Sequence, residues 1–97
     1  MHFLIHCLDQ ARGPEIRKKE FEAHQAYLKN AANYPAGIVV SGPLVQDDGV
    51  TPKGSLYLIE AASRQAAETF IHGDPYFKAG VWDRIVIDGF VKKTDNR

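Results

Sequence analysis

Ninety-seven residues, 44% of them hydrophobic and including five Phe, four Tyr and one Trp, suit one small domain with a modest core. Twelve basic residues balance twelve acidic ones, so the summed field draws neither nucleic acid nor anionic lipid; a small molecule and other protein chains are the expected partners. No apolar run approaches the roughly 20 residues of a membrane span, the N-terminus lacks the pattern of a signal peptide, and the lone Cys7 permits no internal disulfide, so the expected address is cytoplasmic.

In chain order, His2 to Leu8 sets Phe3, Ile5 and Cys7 against His2, Leu4, His6 and Leu8, the alternation of a strand. A loop follows, and Pro14 opens a helix that the pattern carries to about Asn33, where Pro35 and Gly37 end it. "IVVSGPLV" (38–45) reads as a strand with a bulge or bend at Gly42-Pro43. "QDDGVTPKG" is a hairpin connection and "SLYLIEA" (55–61) the returning strand. Ser63 caps a second helix over 64–73, with Ala66, Ala67, Phe70 and Ile71 at helical spacing and Gly73 as its stop. "DPYFKAG" forms one more helical turn, capped by Asp74, started by Pro75 and closed by Gly80. "VWDRIVIDGFV" (81–91) is the last strand.

The order βαββαβ, without internal repeats or linkers, is that of an α+β ferredoxin-like fold: an antiparallel sheet with two helices on one face. A single domain over residues 1–92 is expected, with residues 93–97 as a frayed tail. Apolar residues on both sides of several strands leave the second sheet face in need of cover, so a sheet-to-sheet homodimer is expected.

At about 100° per residue, Phe21, His24, Leu28, Ala31 and Ala32 share one stripe of the first helix. His24 lies inside that stripe, where an imidazole left without partners costs on the order of 1 to 3 kcal/mol per unsatisfied group. Two readings stand: a core histidine satisfied by a carbonyl or water, or a general acid or base. Asp74 is a sound helix cap on its own account, and sequence spacing cannot bring it to His24.

Ser41, at the strand bend, commonly satisfies local backbone; it is also a candidate for orienting a substrate, and as a nucleophile it would need a base within hydrogen-bond reach. His6 and Cys7 are adjacent on a strand and leave opposite faces, while His2 and His6 stand about 13 Å apart, too far for one metal. His6 remains a candidate for the sheet side of a cleft, and Tyr76, with Phe77 and Trp82, for an apolar wall near Asp74 or for core packing. Asp47 and Asp48 read as a solvated turn beside Gly49. No phosphate loop, metal pattern or dinucleotide fingerprint is present, and neither metal nor cofactor is expected.

Ala23-His24 in the first helix, Ser41-Gly42-Pro43 and, most specifically, "GDPYFKAGV" from Gly73 to Val81 give a chain that resembles the YCII-related (YciI-like) family of the dimeric α/β-barrel superfamily. The chain departs from the family pattern at Phe21 and Glu22, where many relatives carry a basic residue and a proline. The resemblance implies a paired active site of His24 and Asp74, in which His24 moves the proton and Asp74 holds the other ring nitrogen. Arg17, on the same helix face as His24, either supplies positive charge for an anionic substrate or is a surface arginine.

A base, an orienting carboxylate and an apolar pocket suit proton abstraction followed by elimination or isomerisation. The resemblance implies the same class, dehydrochlorination of a chlorinated hydroxyhydroquinone-like ring compound by a cofactor-independent lyase, or an isomerase. The alternative is a non-catalytic metabolite-binding or accessory module that uses the same cleft.

Overall fold

The computed structural model describes residues 1–30 and 36–97. Seven elements follow one another: β1 (His2–Asp9), α1 (Gly13–Lys29), β2 (Ala36–Val45), β3 (Pro52–Ala61), α2 (Arg64–His72), the short α3 (Pro75–Lys78) and β4 (Trp82–Phe90). The four strands form one antiparallel sheet in the order β2-β3-β1-β4, and the helices lie on one face of it, the ferredoxin-like arrangement.

Register explains which residues meet. On β1, Phe3, Ile5 and Cys7 stand opposite Ile59, Tyr57 and Ser55 of β3, and all six are buried. Together with Ala67, Phe70 and Ile71 of α2 and with Val81, Trp82 and Ile87, the apolar members of this set form the core beneath the helices. The intervening residues Leu4, His6, Leu56, Leu58 and Val86 face the other way and are half-buried.

Helix α1 departs from a plain apolar stripe. Its buried residues are Gly13, Arg17 and His24, whereas Phe21 is 53% exposed. Ala31, Ala32 and the expected helix end at Asn33 and Pro35 lie outside the described residues, and the described helix stops at Lys29 with Asn30 as its C-cap. Gly13 permits the close approach of α1 to β1: a Cβ there would come within 2.7 Å of Asp9 Cβ.

β2 corrects a second expectation. The register shifts fall between Ile38 and Val40 and between Leu44 and Val45, and Pro43 keeps its place opposite Ser55. β2 is an edge strand, where a proline lacking an amide proton is tolerated without a bulge. The hairpin closes earlier than expected, because Val45 pairs with Pro52 and the amide of Gln46 donates to Thr51 O at 2.9 Å. Asp48 organises the turn by accepting from the amides of Val50 and Thr51 at 2.8 and 2.9 Å.

Ser63 caps α2 through Ala66 N, and Asp74 caps α3 through Tyr76 N at 2.9 Å. Gly80, at φ 78°, turns the chain into β4. Residues 91–97 carry no regular secondary structure; within them Asp95 meets Lys92 and Arg97. Among the described residues, no helix is long and apolar enough to cross a membrane.

Candidate active site

A cavity of about 730 Å³ opens between α1, α3 and the β2–β3 half of the sheet. The side chains of α1 that reach it, Pro14, Arg17, Lys18, Phe21, His24, Gln25 and Leu28, recur at three- and four-residue steps, so one helix face forms a wall. Pro43 and Pro52 close the hairpin side, Tyr57 and Ser55 line it from β3, and Tyr76 lines it from α3.

His24 lines this cavity and meets Asp74, which is buried and does not line it. Nδ1 of His24 lies 2.9 Å from Asp74 Oδ1 and 3.1 Å from Oδ2. A carboxylate only accepts, so Nδ1 is the donor of this bond and Nε2 is the ring nitrogen left to exchange a proton. Nε2 has no protein partner among the described residues and is open to the cavity.

Asp74 is fully buried and gathers two further donors, the Tyr76 amide on Oδ1 and the Tyr57 hydroxyl on Oδ2, each at 2.9 Å. One residue thus caps α3 and holds the imidazole. The Tyr76 ring stacks on His24 with centroids 3.8 Å apart and planes 5° from parallel, fixing the tilt of the imidazole.

Arg17 is buried, and the surface reading of it is corrected. Its Nε and Nη2 donate to the two oxygens of Asp9 at 2.7 and 2.8 Å, and Nη2 also reaches Gly54 O and Ser55 Oγ at 2.7 and 2.9 Å. Burial opposes its charge, yet hydrogen bonding and attraction from Asp9 outweigh burial and raise its pKa. The guanidinium carbon stands 5.1 Å from the centre of the Tyr76 ring, a cation–π distance. Burial also lifts the Tyr76 phenol, against the pull of Arg17.

Ser41 lines the cavity as an exposed residue of β2, in register with Tyr57. His6 does not line it: it stands on the other sheet face, opposite Leu56 and Val86, which corrects its expected place in the cleft. Cys7 lies in the core, its thiol pushed up to about 12 by burial and then by the charge of Asp74. Among the described residues, no cluster of three or more His, Cys, Asp or Glu could hold a metal ion.

The profile of the YCII-related domain matches residues 1–90. The chain belongs to the YCII-related family. Protein YciI of Escherichia coli is 29% identical over 97 residues, spanning 95% of this chain and 98% of that protein. The 5-chloro-2-hydroxyhydroquinone dehydrochlorinase of Burkholderia phenoliruptrix, solved with 2,5-dihydroxybenzoquinone, superposes with a TM-score of 0.83 at 28% identity, covering 96% of each chain. A NIPSNAP domain protein from Burkholderia xenovorans, 13% identical with a TM-score of 0.50 over 99% of this chain and all of that one, shares the fold alone.

Three residues of this YCII-related site escape the sequence reading: Tyr57, Asp9 and Ser55. Tyr57 carried a usable signal, because it occupies a core position of an alternating strand between Ser55 and Ile59 and its hydroxyl there demands a partner. Asp9 carried none, since its pairing with Arg17 depends on how the loop between β1 and α1 folds back.

Proposed function

We propose that this protein is a cofactor-independent lyase or isomerase that moves protons on a hydroxylated ring compound, with His24 as the base. The observation that carries this reading is the free Nε2 edge of His24 in a largely apolar cavity, with its Nδ1 edge held by a buried carboxylate. The relative that acts on 5-chloro-2-hydroxyhydroquinone supports a chlorinated hydroquinone as substrate.

The step balances without an oxidant. His24 takes a proton from a ring hydroxyl and returns it to the chlorine-bearing carbon, giving the keto tautomer. Loss of a second hydroxyl proton then expels chloride with its bonding pair and leaves a quinone. Asp74 keeps Nδ1 protonated throughout and stabilises the imidazolium. Arg17 and the Tyr76 phenol would hold a ring oxygen as negative charge develops, with Ser41 orienting the ring from the mouth.

His24→Ala should lower turnover by about 100- to 10,000-fold while leaving the circular-dichroism spectrum unchanged. The assay follows chloride release and quinone absorbance on hydroxylated and chlorinated hydroquinones under anaerobic conditions. Native-level activity in His24→Ala would overturn the reading, and ligand-induced thermal stabilisation without product would favour the binding-module alternative.

The working unit in this reading is a cytoplasmic homodimer packed through the uncovered sheet face, where Leu4, Leu56, Leu58 and Val86 lie side by side. Light scattering behind size-exclusion chromatography should give twice the mass of the chain at micromolar concentration; a stable monomer would sink this part.

A further inference from the structure

Tyr57 lines the cavity from β3, its ring edge-on to Phe70 at 5.7 Å and to Trp82 at 6.3 Å. Phenylalanine would fill the same space. A hydroxyl buried there needs a partner, and it donates to Asp74 Oδ2 at 2.9 Å.

We infer that Tyr57 is a positioning residue of the proton-transfer pair: its hydroxyl sets how strongly Asp74 attracts the Nδ1 proton of His24, and thereby the pH at which Nε2 becomes a free base. This rests on the reading of His24 and Asp74 given above.

Asp74 distributes its negative charge over three donors, the Tyr57 hydroxyl, the Tyr76 amide and His24 Nδ1–H. Removing a donor leaves more charge for the imidazole, which then holds its second proton to higher pH. The Tyr76 amide also anchors the start of α3, so it cannot be adjusted without moving the helix. The phenol is the adjustable donor.

It is also a constant one. Burial, then the charge of Asp74 and the hydrogen bond to it, drive the Tyr57 phenol upward, more than Arg17 lowers it, so it donates throughout the neutral range. The other groups around the pair are Arg17 from α1, locked to Asp9 of β1; the Cys7 thiol from β1; and the Tyr76 phenol from α3. The guanidinium, the thiol and both phenols keep their protons near neutrality.

The test is an NMR titration of the His24 ring in the full chain, with its resonance assigned by His24→Gln. In Tyr57→Phe the titration midpoint should rise by about half a pH unit relative to the native protein. In protein carrying 3-fluorotyrosine at position 57, whose more acidic phenol is a stronger donor, it should fall. The fluorinated ring keeps the native shape, so it decides the matter alone if Tyr57→Phe does not fold. A midpoint unmoved by these changes would overturn the inference and leave Tyr57 as packing. The titration reads the coupling without substrate, so its outcome is separate from whether His24→Ala retains turnover. In an active enzyme the acid limb of kcat/KM follows the same shifts.

Discussion

Helices α1 and α2 rest on the same face of one sheet, yet they bury opposite kinds of side chain. α2 presents Ala67, Phe70 and Ile71 to the core, whereas α1 presents Gly13, Arg17 and His24 and leaves Phe21 half in solvent. The nine residues of α2 pack; α1 packs Ile16, Tyr27 and Leu28 against the core while Arg17 and His24 line the cavity. A helix can therefore serve core and site at once, with ion pairs and ring stacking on its inner face beside the aliphatic contacts of Ile16 and Leu28.

Substitutions can break or sharpen that contrast. The largest loss of stability is expected on α2. Phe70→Ala removes a fully buried ring packed against Tyr27 and Tyr57 and should cost about 3 to 5 kcal/mol in urea unfolding. A cost below about 1 kcal/mol would show that α2 is not the packing helix.

On α1 the expected losses come from charge. Arg17→Ala strands the Asp9 carboxylate, 5% exposed, and should cost about 3 kcal/mol, whereas Arg17→Met combined with Asp9→Leu should recover most of it. A double variant no more stable than the single one would mean that Arg17 contributes by packing.

The effect that is smallest at neutral pH comes from β1 beneath the site. The unfolded chain releases the Cys7 proton near its ordinary value of 9.0, whereas the folded chain holds it to about 12. Between those values the unfolded state binds fewer protons, so stability should fall as pH rises, by about 1.4 kcal/mol per unit for this group. Cys7→Ala should remove that share of the slope in urea titrations from pH 8 to 11; an unchanged slope would assign the alkaline loss to other groups.

The sequence was most readable where a local period decides the structure. Alternation in β1, the Ser63 and Asp74 caps and the order of elements all depend on neighbours in the chain, and the fold follows from them. Alternation gives β1 two apolar faces without saying which one meets the helices; packing decides it by burying Phe3, Ile5 and Cys7 in the core, which leaves His6 on the other face. Helical period placed Arg17 and His24 on one face but could not show that Asp9, eight residues before Arg17, folds back to neutralise it. The Tyr57 contact is of the same kind, since Asp74 reaches it only through the packing of α3 on the sheet.

The two faces of the sheet also separate two demands on the chain. The cavity lies on the helix side, and the aliphatic patch of Leu4, Leu56, Leu58 and Val86 lies on the other. In a dimer joined through that patch, each copy would carry the whole cluster of His24, Asp74, Tyr57 and Tyr76 within its own chain. Substitutions at that joint would then change association without replacing any side chain that lines the cavity.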